Sequence, residues 1–299
     1  MPRVLLLGAG GQLGMQLAQK LAAEVELTAL ARAEVDFTDL DAIRTAIRKA
    51  EPEIVVNAAA YTAVDRAESE PELARLVNAV ASGVIAEELA KTNGWLIHYS
   101  TDYVFDGSGT EPWRETDATG PLSVYGQTKL DGELAIAATG CRHVILRTSW
   151  VYAAVGKNFL HTMLRLGRER ERLNVVDDQI GAPTTAEAIT EATRAVLRQL
   201  AADGDDRLVS GVYHLACGGA TSWCGFAREI FEIFASRQKA PEAAPIPTEA
   251  YPTPARRPRN SRLCCDKFVG TFGFSMPEWP DALREVAQGM LSSEGHRIV

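Results

Sequence analysis

Apolar and polar positions alternate along the first half of the chain in two rhythms. Short apolar runs recur at Arg3 to Leu7, Glu26 to Leu30, Ile54 to Ala58, Trp95 to Ser100 and His143 to Thr148. Their length and branched side chains suit buried strands. Between them, Met15 to Ala23, Pro71 to Lys91 and Pro121 to Ala138 space their apolar residues for one helical face. This alternation predicts an α/β fold: a doubly wound parallel sheet of Rossmann type with helices on both faces. Ligands of such sheets sit outside the carboxyl ends of the strands. Past Trp150 the rhythm loosens. A helix over Thr185 to Leu200 and a strand over Val212 to Leu215 are predicted to return to the sheet. The stretch from Lys239 to Pro258 holds six prolines and reads as an extended connection.

Composition narrows the class. The chain has 299 residues, 46% of them hydrophobic and 23% charged, as in ordinary globular proteins. A net charge of −8 argues against a nucleic-acid partner, which needs a basic face. No apolar stretch approaches the roughly 20 residues of a membrane span, and the N-terminal apolar run lacks a signal-peptide cleavage pattern. The five cysteines, Cys141, Cys217, Cys224, Cys264 and Cys265, include no Cys-x-x-Cys pair. A disulfide framework or zinc site is not expected, and a reducing cytoplasm fits. The histidines have no metal-ligating spacing.

The chemistry-bearing segments follow the strands. After the first comes Gly8-Ala9-Gly10-Gly11-Gln12-Leu13-Gly14, then a helix. Glycines so placed serve a tight turn, close backbone approach to a pyrophosphate and helix–strand packing. The helix start then offers free N–H groups to phosphate. After the second strand stands Arg32, 18 residues beyond Gly14, with Asp36 nearby. An arginine there favours a ribose 2′-phosphate and a carboxylate a free 2′-hydroxyl; the lean is to NADPH over NADH. After the third strand, the small residues of Asn57-Ala58-Ala59-Ala60-Tyr61-Thr62 admit a cofactor ribose, or simply pack helix on sheet. After the fourth come Ser100, Thr101 and Asp102, where the Thr101 hydroxyl can polarise a carbonyl or cap a turn. Tyr125 and Lys129 lie four residues apart on one predicted helical face. A free phenol titrates at about 10, and a lysine ammonium a few ångströms away lowers that value.

At these residues the chain resembles the extended short-chain dehydrogenase/reductase superfamily and, within it, the dTDP-4-dehydrorhamnose reductase family. The resemblance rests on long runs in both halves: Val56 to Asp65, His98 to Phe105, Arg147 to Tyr152, Asp178 to Thr184 and Tyr251 to Pro258. It implies a dinucleotide-binding unit over residues 1–150, joined by 184–216, and a smaller α/β nucleotide-sugar unit from 151–183 and 217–299. It implies reduction of the 4-keto group of a dTDP-6-deoxyhexose by NADPH or NADH. Tyr125 would be the general acid, Lys129 would hold the nicotinamide ribose and lower the phenol's pKa, and Thr101 would bind the same oxygen. Gly8, Gly11, Gln12, Leu13, Gly14, Arg32, Asp36, Phe37, Ala59, Ala60 and Tyr61 would contact the cofactor. Asp102, Trp150, Asn158, Arg256 and Arg262 would contact the dTDP-sugar. Some relatives form magnesium-bridged dimers through a glutamate where Gln16 stands here. A neutral amide is a poorer ligand for a hard cation, so a monomer or weak homodimer without Mg²⁺ is expected. Two alternatives stay open: a related nucleotide-sugar reductase or epimerase, and a non-catalytic dinucleotide-binding regulatory subunit.

Overall fold

The computed structural model describes residues 1–201, 210–237 and 240–295. Lys239, at the head of the proline-rich stretch, lies outside them, as do parts of the expected segments 184–216 and 217–299. The main sheet has six parallel strands: β1 (Arg3–Leu7), β2 (Glu26–Leu30), β3 (Ile54–Asn57), β4 (Trp95–Thr101), β5 (Arg142–Thr148) and β10 (Gly211–His214), in the order β10-β5-β4-β3-β1-β2. The order reverses between β1 and β3, the switch point at which doubly wound sheets open a crevice.

Successive side chains on a strand face opposite ways. On β1, Val4 and Leu6 therefore join one core while Leu5 and Leu7 join the other. The first core is covered by α1 (Gln12–Leu21), α8 (Ala186–Ala201) and α10 (Asp266–Phe272), through Leu17, Ile189, Val196, Phe268 and Phe272. The second is covered by α2 (Leu40–Ala50), α5 (Ala81–Thr92) and α6 (Val124–Ala138), through Ile43, Ile85, Leu89 and Ile136. Caps fix where two of these helices begin. Asp39 accepts from the N–H groups of Asp41 and Ala42, and Ser123 from that of Gly126.

A third core joins α7 (Phe159–Glu169), α9 (Trp223–Ile233) and α11 (Trp279–Gly295) to the parallel pair β7 (Arg172–Val176) and β12 (Glu242–Ile246). Two features depart from the sequence pattern. The proline-rich stretch carries β12 and is no bare connection; Pro245 is tolerated because β12 has one neighbour, so its missing N–H breaks no central ladder. The segment 217–299 does not pack wholly with the third core, since α10 lies against the main sheet beside β10. Among the described residues no helix is long and apolar enough to cross a membrane.

Candidate active site

The predicted segments all emerge at the carboxyl ends of the main-sheet strands. Gly8 leaves β1 at φ +82°, and a Cβ there would lie 2.5 Å from the Ala59 nitrogen. A Cβ on Gly14 would lie 2.0 Å from the Gly8 carbonyl oxygen, so α1 closes directly onto the turn. Gly11 caps α1 without a side-chain hydrogen bond, which leaves the first-turn N–H groups free of side-chain partners. In front of them opens a cleft of about 640 Å³ lined by Gly8, Gly11, Arg32, Asp36, Phe37 and the backbone from Ala59 to Tyr61. The Arg32 guanidinium is 85% exposed, 4.0 Å from Asp36. Thr38, through its backbone and hydroxyl, holds the Asp36 carboxyl below the usual range. Gln12 and Leu13 do not line this cleft. The Gln12 amide accepts from Asn158 Nδ2 at 2.7 Å and donates to the Lys157 carbonyl at 3.3 Å, while Leu13 packs against the first core.

β4 delivers the reactive group of side chains. Thr101 caps a short 3₁₀ turn, accepting from the Tyr103 N–H at 3.2 Å and donating to Asp102 Oδ1 at 3.0 Å. A hydroxyl has one proton, so while Asp102 is ionised Thr101 has none left for a substrate carbonyl. Burial pushes the Asp102 carboxyl up to about 6, against the pull of the Ser261 and Thr101 hydroxyls. Tyr125 stands in the first turn of α6, beside Thr101 and edge-on to the Tyr103 ring at 5.5 Å. Two glycines seat this helix closely: a Cβ on Gly126 would lie 2.2 Å from the Tyr103 oxygen, and one on Gly132 2.3 Å from the Asn78 oxygen.

The Tyr–Lys pair shares the helix as the spacing implies, with the lysine directed at β4. Lys129 Nζ donates to the Tyr99 carbonyl at 2.6 Å and lies 3.3 Å from His98 Nε2. Burial raises the Tyr125 pKa above that of a free phenol, and Asp102 adds to the rise.

The helix expected over Pro71 to Lys91 contains a π turn, Leu76–Val80, between α4 (Pro71–Arg75) and α5. The turn aims Asn78 inward. Its Oδ1 accepts from the Tyr61 N–H at 2.8 Å, and its Nδ2 donates to the Tyr61 carbonyl at 3.2 Å and Thr128 Oγ1 at 3.1 Å. Asn78 thus ties the cleft wall to the Tyr125 helix. A single helical period carries no trace of the extra residue, so periodicity alone does not reveal it.

A second cavity, of about 1050 Å³, opens between α7, α9 and the β7–β12 pair. Its wall includes Trp223, which stacks on Trp150 with centroids 3.7 Å apart and donates from Nε1 to Gln179 Oε1 at 3.2 Å. Phe159, Tyr251, Arg172 and Arg257 also line it. Trp150 sits at φ +49°, packed against Gly181, where a Cβ would meet the indole at 2.7 Å. Asn158 does not face this cavity as expected. It caps α7 by accepting from the His161 N–H, and its amide donates to Gln12 and the Ala153 carbonyl. Of the arginines, Arg257 lines the cavity and pairs with Asp65 at 2.9 Å. Arg256 lines an adjoining hollow of about 490 Å³, and Arg262 turns its guanidinium to Asn260. Trp223 lies outside the runs that carry the resemblance, whereas Gln179 and Arg257 lie within them, at Asp178 to Thr184 and Tyr251 to Pro258. Gln16 Nε2 donates to Glu187 Oε1 at 3.1 Å. Among the described residues no group of three or more His, Cys, Asp or Glu side chains is placed to hold a metal ion.

A glycine turn at the switch point, with a tyrosine and a buried lysine facing the ends of β3 and β4, is the architecture of the short-chain dehydrogenase/reductase class. The family described as the RmlD substrate binding domain matches residues 2–292. The chain is 45% identical to the dTDP-4-dehydrorhamnose reductase of Shigella flexneri over 97% of its length and 98% of that protein's. It is 46% identical to that of Burkholderia thailandensis, covering 97% and 99%. The crystal structure of the Bacillus anthracis dTDP-4-dehydrorhamnose reductase in complex with NADP is similar at a TM-score of 0.88 and 32% identity, over 95% of this chain and 98% of that one. The chain belongs to this family.

Proposed function

We propose that the protein reduces the 4-keto group of dTDP-4-dehydro-6-deoxy-L-mannose to give dTDP-L-rhamnose, using NADPH or NADH. The observation that carries the reading is the gathering of Tyr125, Thr101 and Lys129 at the carboxyl end of β4, in the same sheet whose β1 ends in the glycine turn and its cleft. The residues fit a dinucleotide. Gly8 and Gly14 leave room where any Cβ would strike backbone, and the first-turn N–H groups of α1 suit a pyrophosphate. Arg32 and Asp36 stand where the adenosine ribose would lie, and the bound cofactor supplies the hydride.

The side chains then divide the remaining work. Tyr125, kept protonated by burial, is in the form a general acid must start from, and it protonates the new hydroxyl oxygen. Thr101 positions the phenol, its own proton held by Asp102. Lys129 holds the ribose as an ammonium. Trp223, backed by Trp150, gives the sugar and base an apolar wall, and Arg172 and Arg257 offer charge to the diphosphate.

Mixing the protein with dTDP-L-rhamnose and NADP⁺ or NAD⁺ tests the reading through the appearance of reduced-nicotinamide fluorescence. Silence despite dTDP-sugar binding would leave only a binding protein, and silence without binding would point to another nucleotide sugar. Arg32→Ala is expected to weaken NADPH about fivefold and NADH by less than about twofold, since one exposed phosphate contact is worth about 1 kcal/mol. Equal effects in parallel titrations would remove Arg32 from the 2′-phosphate. Gly14→Ala is expected to weaken either dinucleotide roughly tenfold to a hundredfold, because moving α1 off the Gly8 carbonyl costs about 1–3 kcal/mol. Unchanged affinity by fluorescence titration would contradict that close-packing role.

A further inference from the structure

Behind Lys129 lies a histidine that the reaction as described does not use. His98, on β4, is 0% exposed and stands between Asn57, at the end of β3, and Lys129 on α6. One backbone amide sets the direction of the contacts around it. The Ala59 N–H donates to Asn57 Oδ1 at 3.1 Å. The other end of that amide, Nδ2, can only donate, and it faces His98 Nδ1 at 3.1 Å. His98 Nδ1 is therefore an acceptor. Burial, with the ring 0% exposed, holds it well below its ordinary pKa, so it is neutral. A neutral ring that accepts at Nδ1 carries its proton on Nε2. That Nε2–H lies 3.3 Å from Lys129 Nζ, which already donates to the Tyr99 carbonyl. An ammonium at Nζ would meet Nε2–H donor to donor. A neutral amine offers it a lone pair.

We propose that His98, locked in its Nε2–H tautomer by Asn57, holds Lys129 as a neutral amine in the cofactor-free enzyme and so couples dinucleotide binding to proton uptake at Lys129. The proposal rests on the dinucleotide reading above. To hold ribose hydroxyls as an ammonium, Nζ must gain a hydrogen and cease to accept from His98. The proton comes from the buffer and forms the third N–H bond. The surrounding groups permit this titration. Burial pulls Lys129 down to about 8. Glu133, one turn on along α6, favours the ammonium, but its carboxylate is already shared between Arg147 of β5 and Ser100 of β4. His143 of β5 acts on the His98 ring, and Tyr125 beside Lys129 is a neutral phenol. From the π turn, Asn78 contributes a neutral amide to Thr128. His98 is on this account a positioning residue, acting through Lys129.

The test is calorimetric titration of the whole protein with NADH at pH 8, in two buffers of small and large ionisation heat. NADH is used because it has no 2′-phosphate to titrate. Wild-type protein is expected to take up about half a proton or more per NADH bound. His98→Gln presents an oxygen acceptor to Nζ. Asn57→Asp presents only acceptors to the ring and so reverses its tautomer. Each variant is expected to bind NADH with little or no buffer dependence, and either alone serves if the other fails to fold. Buffer-independent heat in the wild type, or undiminished uptake in the folded variants, overturns the proposal. So does an Nδ1–H signature for His98 in long-range ¹H–¹⁵N spectra, which need no cofactor. Absence of any NADH binding overturns the dinucleotide reading itself, and that result is distinct from binding without proton uptake.

Discussion

Tyr125→Phe is expected to lower turnover about a thousandfold while leaving dinucleotide affinity within about twofold, since a positioned general acid contributes on the order of 10² to 10⁴. The substitution removes one oxygen and keeps the ring, so the edge contact with Tyr103 and the close seating of Gly126 survive. What disappears is the phenol proton beside Thr101, whose pKa is high enough to guarantee its presence at neutral pH. Thr101 offers no substitute, because its proton is held by Asp102, and Lys129 is directed at the Tyr99 carbonyl. Initial rates of NADPH oxidation, set beside a fluorescence titration, separate the two effects. Near-normal turnover would remove Tyr125 from the acid's role. An equal loss of turnover and cofactor affinity would make it a cofactor-binding residue.

The parts of this arrangement that were legible in the sequence are those written as repeats or steric necessities. A strand buried on both faces must be apolar throughout, so Val4 to Leu7 and Ile54 to Val56 announce themselves. A helix residue on which any Cβ would lie 2.0 Å from the turn's carbonyl oxygen must be glycine, and so must a turn residue held at φ +82° against backbone, so Gly14 and Gly8 do too. The one-turn spacing put Tyr125 and Lys129 on the same helix. It said nothing of where the ammonium points, because the acceptor is a main-chain oxygen of β4, contributed by Tyr99. Asn158 and Gln12 have side chains suited to ligands but use them on one another and on a helix cap, a choice made by loop geometry rather than residue type. Trp223 and Gln179 reach the cavity only because β8 (Ile180–Gly181) and β11 (Thr221–Ser222) pair, a contact between segments some forty residues apart. Such long-range pairings leave no local period.

Glu133→Ala is expected to destabilise the protein by about 3–5 kcal/mol, the usual consequence of leaving one partner of a buried ion pair uncompensated. Both side chains are enclosed, at 4% and 6% exposure, and the pairing is bidentate: Arg147 Nε and Nη2 reach the carboxylate at 2.9 and 2.6 Å. Ser100 donates to the same carboxylate at 2.5 Å, and the guanidinium lies over the Phe105 ring. Removal of the carboxylate strands a guanidinium that cannot lose its charge and a hydroxyl that has lost its acceptor. A fall of roughly 10 °C or more in melting temperature should follow. The pair also ties α6 to β4 and β5, one turn beyond Lys129 and one residue before Thr101, so turnover should fall with stability. Burial alone makes a different demand from charge, and a double variant distinguishes them. Glu133→Leu with Arg147→Met fills similar volume without ions and should recover most of the lost stability, because such replacements are commonly neutral or favourable. It should not recover the turnover, if the ion pair's geometry is what keeps Tyr125 and Lys129 in register with Thr101. A single-variant loss below about 1 kcal/mol by urea unfolding would place the pair in solvent-like surroundings, contrary to the burial described above.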